Sequence, residues 1–218
     1  MSGVKPIAFF GGSFDPPHLG HMAVAKAALR SGSCSHVAWV PAYAPPHKHG
    51  STAAFSDRVA MVEAAIVGHD GMSASRIEEE LHFTPSYTFE ILEAWEARFG
   101  APPALLIGAD SLRELHTWHR AAELAERFQV ISYPRGGRPV TADELSCRWS
   151  ERTVEKLLAG VLDGDFFEIS SSELKNRMEK FAEAGDIIHL KEYIAPGVWD
   201  YIVRHGLYAP KTDGGQTV

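Results

Sequence analysis

Short apolar runs alternate with longer amphipathic segments along the chain. The first run, Ile7–Phe10, stops at two glycines, which is typical of a buried strand. Leu19–Arg30 has the length and spacing of a helix, with Asp15 predicted as its cap, prolines in its first turn and Gly32 at its end. Comparable apolar runs predict further strands at Val37–Val40, Met72–Ile77, Leu105–Ile107, Gln129–Ser132 and Phe166–Ile169.

Apolar residues at helical spacing follow most of these runs. They predict a short helix that closes with Glu123–Arg127, and longer helices at Phe55–Val67, Tyr87–Phe99, Val154–Leu158, Ser172–Ala184 and Val198–His205. Thr141–Arg152 fits either a helix or a loop. Strand and helix therefore alternate, and this pattern predicts an α/β fold, a doubly wound, mostly parallel sheet with helices on both faces.

Composition narrows the class of protein. A chain of 218 residues is long enough for one domain, which we expect over residues 1–210, with a polar, flexible tail at 211–218. The formal net charge of −7 argues against a general nucleic-acid binder, and the chain has no apolar run long enough to span a membrane. Two cysteines provide no disulfide framework, so we expect a reducing, cytoplasmic location.

The predicted first strand-to-helix turn reads Gly-Gly-Ser-Phe-Asp-Pro-Pro-His-Leu-Gly-His, ending at His21. In parallel sheets, ligands bind outside the carboxyl ends of the strands, and a helix N-terminus there favours an anion. His18 and His21 are three residues apart, so they share one helix face and can bind one phosphate chain, with Gly20 leaving room for it. The dinucleotide fingerprint Gly-x-Gly-x-x-Gly and the Walker A lysine are both absent from this turn.

A second polar motif, Ile-Ser-Ser-Ser-Glu-Leu-Lys-Asn-Arg, follows a predicted strand at residues 169–177. Ser170 and Glu173 have the spacing of a capping box. The hydroxyls and the first amides of the helix predict a second phosphate site, with Lys175 and Arg177 supplying cations. Because a serine-rich cap alone is usually only a cap, this interpretation depends on the first motif.

Together the two motifs resemble those of the nucleotidyltransferases with a His-x-Gly-His signature, a superfamily with a Rossmann-like fold. The resemblance implies adenylyl or cytidylyl transfer from a nucleoside triphosphate, with His18, His21 and Lys175 as the catalytic residues. Mg²⁺ carried by ATP is the implied cofactor, and no separate protein metal site is implied. The implied ATP-binding residues are Gly11, Gly12, Ser13, Phe14, Gly20, Gly108, Asp110, Ile169, Ser170, Ser171, Ser172 and Arg177.

Further stretches, in order between Ile7 and Tyr208, resemble the bacterial nicotinate-nucleotide adenylyltransferases. These are Pro-Pro-His-Lys at 45–48, Ser-Tyr-Thr at 86–88, Ile-Gly-Ala-Asp-Ser-Leu at 107–112 and Thr-Trp at 117–118. The resemblance implies that ATP and nicotinate mononucleotide form deamido-NAD and pyrophosphate in NAD biosynthesis. A tryptophan can stack on the nicotinate ring, and backbone amides can bind its carboxylate. The implied mononucleotide-binding residues are Lys48, Tyr87, Thr88, Trp118, His119 and Arg135.

The chain also departs from the family pattern. Lys175 stands where the family has an arginine; lysine keeps the charge but loses bidentate geometry, so Arg177 is an alternative phosphate contact. Ala42 and Tyr43 replace a frequent asparagine, and Leu-His-Phe-Thr-Pro replaces a glycine-rich stretch with arginine before Ser86. Three alternatives therefore stay open: an adenylyltransferase for nicotinamide mononucleotide, one for phosphopantetheine, and a non-catalytic nucleotide-binding module. The sequence also leaves open whether the chain forms a homo-oligomer.

Overall fold

The computed structural model describes residues 4–43, 53–134, 139–163, 170–181 and 187–208. Five parallel strands form one sheet in the order β3-β2-β1-β4-β5. They are β1 (Ile7–Gly12), β2 (His36–Pro41), β3 (Met72–Ala74), β4 (Ala104–Gly108) and β5 (Gln129–Tyr133). The predicted parallel sheet is thus confirmed, whereas the strand predicted at Phe166–Ile169 lies outside the described residues.

Helices connect and flank these strands. They are α1 (Leu19–Arg30), α2 (Phe55–Ile66), α3 (Ile77–Leu81), α4 (Thr88–Phe99), α5 (Ala109–Glu114), α6 (Ala121–Arg127), α7 (Ala142–Ser146), α8 (Glu151–Ala159), α9 (Ser171–Phe181) and α10 (Pro196–His205). Two 3₁₀ segments, Leu115–Thr117 and Ile187–Tyr193, lie between them. The ambiguous stretch from Thr141 forms α7 and the start of α8, which begin at the caps Thr141 and Ser150.

Helices cover both faces of the sheet because successive strand residues point to opposite sides. Ala8 and Phe10 of β1 pack in one apolar cluster with α1, whereas Phe9 packs in another with α4, α6 and α8. A third cluster, outside the sheet, joins α2 to α9 and α10. None of the helices in the described ranges is both long and apolar enough to cross a membrane.

The strand order reverses between β1 and β4, which are neighbours in the sheet but far apart in sequence. The connections from β1 and from β4 run in opposite directions along the sheet, and their helices α1 and α5 both begin at its carboxyl edge. A crevice opens at such a switch point, and it is the usual ligand site of open α/β sheets. Both strands end in glycine there, at Gly12 and Gly108.

Candidate active site

The turn between β1 and α1 positions two histidines at the N-terminus of α1. His18 is the helix cap: its Nδ1 accepts the N–H of Gly20 at 3.1 Å, while the His18 N–H donates to Nδ1 of His21 at 3.2 Å. The prediction that Asp15 caps this helix is therefore wrong. Asp15 lies three residues earlier and is buried, where it bonds more distant parts of the chain.

The two imidazoles contact each other with ring centroids 3.8 Å apart and planes inclined by 36°. Phe14, which is fully buried, makes an edge-to-face contact with His21 at a centroid distance of 5.0 Å. Because Nδ1 of each ring accepts a backbone N–H, each neutral imidazole carries its proton on Nε2. The pair therefore presents two N–H donors at the start of a helix, an arrangement suited to phosphate oxygens.

A cavity of about 210 Å³ lies beside these histidines at the carboxyl edge of β1 and β4. It brings together His18, Gly20 and His21 with Gly108 and Asp110, which the sequence placed in one ATP site. Its wall is completed by Phe10, Gly11, Val24, Ile107, Ser111, Trp118 and Tyr133. Asp110 is exposed, and its carboxylate lies 3.6 Å from the guanidinium of Arg113.

A second, smaller cavity of about 140 Å³ opens on the other side of the same edge. Thr88, the first residue of α4, lines it together with Gly12. The side chain of Tyr87, the cap residue of α4, makes no hydrogen bond to the first turn of that helix. The two cavities share Gly11, Ile107 and Trp118 as lining residues. The remaining wall of the second cavity consists of Phe9, Ala42, Glu78, Ser86 and Leu105.

Tyr87 and His119 line neither cavity. They contact each other beside their chain neighbours Thr88 and Trp118, which do line a cavity. Their rings stack at 4.4 Å, and His119 Nε2 lies 3.0 Å from a carboxylate oxygen of Glu90 on α4. This contact fixes the segment after Trp118 against the first turn of α4. The side chains of Tyr87 and His119 contact each other. The mononucleotide binding predicted for these two residues is therefore compatible with their backbone groups.

The serine-rich motif begins α9 and contacts the first motif. Ser170 Oγ accepts the N–H of Glu173 at 3.2 Å, so Ser170 caps the helix as its spacing predicted. Ser171 Oγ donates to the carbonyl of Pro16 at 2.9 Å, which ties α9 to the turn before His18. Ser172, next along the helix, is exposed.

The two predicted phosphate-binding cations of this helix are both paired with carboxylates. Lys175 Nζ lies 3.0 Å from Asp15 Oδ2, and Arg177 pairs with Glu173 on its own helix. Asp15 Oδ1 also accepts the Tyr208 hydroxyl at 2.7 Å, and burial beside that carboxylate raises the pKa of Tyr208. Neither Lys175 nor Arg177 lines the two cavities, so their predicted action on ATP phosphates stays a prediction.

Two buried charges near the first motif, Arg58 on α2 and Glu78 on α3, escaped the sequence-based interpretation. Arg58 on α2 is 2% exposed and donates to the carbonyl of Ser13 at 2.9 Å, which fixes the backbone that follows Gly12. Burial lowers the pKa of Arg58, while the neighbouring Asp15 and Glu78 oppose that shift. Both side chains occupy helical positions typical of surface charges, and only the fold reveals their burial. Three predicted site residues, Lys48, Arg135 and Ile169, lie outside the described residues.

Sequence comparisons place this arrangement in a known group of proteins. A sequence model of the cytidylyltransferase-like family matches residues 9–177. A nicotinate-nucleotide adenylyltransferase named in Synechococcus sp. (strain JA-3-3Ab) is 34% identical over 206 residues, 94% of this chain and 95% of that protein. The chain belongs to the nicotinate-nucleotide adenylyltransferase family.

A second member of the nicotinate-nucleotide adenylyltransferase family, from Serratia proteamaculans (strain 568), is also 34% identical, over 92% of this chain and 94% of its own length. Among solved structures, the Plasmodium falciparum nicotinic acid mononucleotide adenylyltransferase complexed with NaAD superposes with a TM-score of 0.72. At 20% identity over 94% of this chain and 97% of that one, this likeness shows the fold alone. Family membership confirms the predicted Rossmann-like α/β class and the predicted nucleotidyltransferase resemblance.

Proposed function

We propose that this protein transfers the adenylyl group of ATP to nicotinate mononucleotide, giving deamido-NAD and pyrophosphate in NAD biosynthesis. The observation that carries the proposal is the pair of cavities that meet at Gly11, Ile107 and Trp118 at the switch point of the sheet. A transfer between two nucleotides requires two sites whose reacting phosphates converge. Relatives that cover nearly the whole chain carry the name of this activity.

ATP is assigned to the cavity beside the histidines. The Nε2–H groups of His18 and His21 are suited to donate to its phosphate oxygens. The amides of Gly12 and Ser13, at the end of β1, are proposed as further donors. Asp110 at the start of α5 is suited to accept a ribose hydroxyl, as acidic residues do in other nucleotide sites. Ser170 and Ser171 act indirectly in this assignment, because their bonds hold α9 against the turn.

Nicotinate mononucleotide is assigned to the second cavity. Its carboxylate suits the amides at the N-terminus of α4 near Thr88, where the helix dipole favours an anion. Trp118 borders the cavity and offers a ring on which the nicotinate can stack. Nicotinamide lacks the carboxylate, so this subsite is expected to favour the acid over the amide.

The proposed reaction needs no covalent intermediate. A phosphate oxygen of the mononucleotide, mostly ionised at neutral pH because its second pKa is near 6, attacks the α-phosphorus of ATP. The new P–O bond forms as the bond from the α-phosphorus to the bridging oxygen breaks, and pyrophosphate leaves with that electron pair. The histidine N–H donors and backbone amides hold the two anions in line and stabilise the leaving charge.

Mg²⁺ bound to ATP is the proposed cofactor, and it supplies neutralisation of the triphosphate charge when bound. Mg²⁺ usually keeps several waters and takes only one or two protein carboxylates beside substrate phosphates. Asp110, the carboxylate that borders the first cavity in the described ranges, is assigned to the ribose hydroxyl, so Mg²⁺ would be held mainly by the ATP phosphates and water. No group of three or more His, Cys, Asp or Glu side chains in those ranges is arranged to hold a metal ion by itself.

Pyrophosphate release tests the proposed function. Purified protein is mixed with ATP and Mg²⁺, and with nicotinate mononucleotide, nicotinamide mononucleotide or phosphopantetheine as the acceptor. We expect release with the first acceptor at a rate well above the other two, and a strong decrease in His21→Ala. Faster release with another acceptor would replace the substrate assignment, and ATP binding without release for any acceptor would indicate a non-catalytic module.

A further inference from the structure

Glu78 is a buried carboxylate in the wall of the second cavity. It is the second residue of α3 and only 5% exposed. Its Oε2 accepts two hydrogen bonds, from the N–H of Tyr43 at 2.9 Å and from Ser86 Oγ at 2.8 Å. Both of the hydrogen bonds that Glu78 makes in the described ranges fall on Oε2, and the residue lines the cavity.

A buried carboxylate is costly unless hydrogen bonds reach both of its oxygens. Burial raises the pKa of Glu78, which is the physical sign of that cost, while the bonds from Tyr43 and Ser86 and the charge of Arg58 oppose the shift. Through Oε2, Glu78 joins the segment after β2, at Tyr43, to the segment before α4, at Ser86. The geometry therefore gives Oε2 a structural role and leaves Oε1 without one.

The chemistry of the acceptor indicates what Oε1 can bind. The carboxylate and phosphate of nicotinate mononucleotide are anions, which a carboxylate repels. The quaternary ring nitrogen is positively charged but has no hydrogen to donate. The ribose hydroxyls are therefore the groups of this molecule that can donate a hydrogen bond to Glu78.

We propose that Oε1 of Glu78 accepts a hydrogen bond from a ribose hydroxyl of the mononucleotide, so that Glu78 selects a ribonucleotide acceptor. This inference rests on the proposed function and on the assignment of the mononucleotide to the second cavity. Glu78 then has two roles on its two oxygens, one that holds the cavity wall together and one that reads the sugar.

Analogues that lack a single hydroxyl test the proposal. We would measure kcat/KM for nicotinate mononucleotide and for its 2′-deoxy and 3′-deoxy analogues with wild-type protein, Glu78→Gln and Glu78→Leu. The wild type should prefer the parent over one analogue by about 10- to 100-fold, the usual size of a hydrogen bond to a charged group. That preference should fall to a few-fold in Glu78→Gln and vanish in Glu78→Leu, with the KM for ATP unchanged.

Glu80→Gln is the matched control, because Glu80 lies on the same helix but is exposed and pairs with Arg98. It should keep the full preference for the parent ribonucleotide. If the Glu78 variants lose activity equally on the parent and both analogues, Glu78 is purely structural or acts on the ring charge, and the proposal is overturned. If Glu78→Leu does not fold, Glu78→Gln, which keeps both Oε2 bonds available, still decides.

A failure of the proposed function has a different signature. If the wild type forms no dinucleotide from nicotinate mononucleotide, calorimetric binding of the parent and the analogues replaces turnover as the readout. Weaker binding of one analogue than of the parent to the wild type, with the difference reduced to a few-fold in Glu78→Gln, would support the ribose contact without the reaction. Equal binding of all three, or no binding, would overturn it.

Discussion

Replacing Lys175 by methionine should lower the free energy of unfolding rather than abolish phosphate binding. The ammonium lies 3.0 Å from Asp15 Oδ2, with side chains that are 21% and 3% exposed. At an effective dielectric constant of about 20, the attraction at that distance is about 5 kcal/mol before desolvation is counted. Loss of one partner from a buried pair typically costs about 3–5 kcal/mol.

Two features of the site place the expected cost at the lower end, about 3 kcal/mol. Lys175 is partly exposed, and the Asp15 carboxylate keeps its bonds from Tyr208 and the N–H of Ala53 when the lysine is removed. For a chain of this length that loss lowers Tm by about 6–12 °C. Arg177→Met on the same helix removes only an exposed pair with Glu173, so it should cost less than about 1 kcal/mol.

A double-mutant cycle isolates the pair. Urea unfolding would be measured for Lys175→Met, Asp15→Asn and the double variant, and we expect a coupling free energy of about 2 kcal/mol. kcat of Lys175→Met below its unfolding temperature should stay within a few-fold of the wild type, because Lys175 contacts Asp15 and lines neither cavity. A coupling below about 0.5 kcal/mol, together with a kcat at least about 100-fold lower at unchanged stability, would refute this reasoning and make Lys175 a phosphate ligand.

The other predictions concern the two cavities. His18→Ala and His21→Ala should each lower kcat by about 100- to 1000-fold, as loss of an oxyanion donor does, while His69→Ala beyond α2 should not; wild-type turnover in both variants would exclude the assignment. Trp118→Ala should raise the KM for nicotinate mononucleotide about 2- to 12-fold through lost stacking, with a smaller rise for ATP; equal rises would indicate a packing role. Because burial raises the pKa of Glu78, its ionised form destabilises the fold at neutral pH. The wild type should therefore gain stability relative to Glu78→Gln as the pH falls through that raised pKa. The measurement is urea unfolding of both proteins at several pH values, and a difference in free energy of unfolding that stays constant with pH would contradict this.

The elements that the sequence predicted best are those with strong local patterns. α1 has the predicted bounds because its apolar face repeats over three turns and a glycine with φ of +72° follows it. β1 and β4 are recognisable because glycines stop their apolar runs. The prediction that a strand extends to Ile77 is wrong, since Ile77 instead begins the five-residue helix α3 and local apolarity does not distinguish the two. The short helix α5 was not predicted either.

The residues of the candidate site also differ in how far local sequence could predict them. His18, Gly20 and His21 could be assigned because all three lie within four consecutive residues of the sequence. The partner of Lys175 could not, because Asp15 is 160 residues away, and Asp15 itself looked like a local helix cap. Glu78 is one of three consecutive glutamates, of which the fold buries only this one. Contacts at long sequence separation therefore decide which charges are structural, and a single sequence does not specify them.

Competition between the two pyridine mononucleotides tests the central claim most directly. The protein would be given ATP, Mg²⁺ and equal concentrations of nicotinate and nicotinamide mononucleotide, and the dinucleotide products would be separated and quantified. The proposed carboxylate subsite at the start of α4 predicts that deamido-NAD is the dominant product. NAD as the dominant product, or the two dinucleotides in equal amounts, would contradict it.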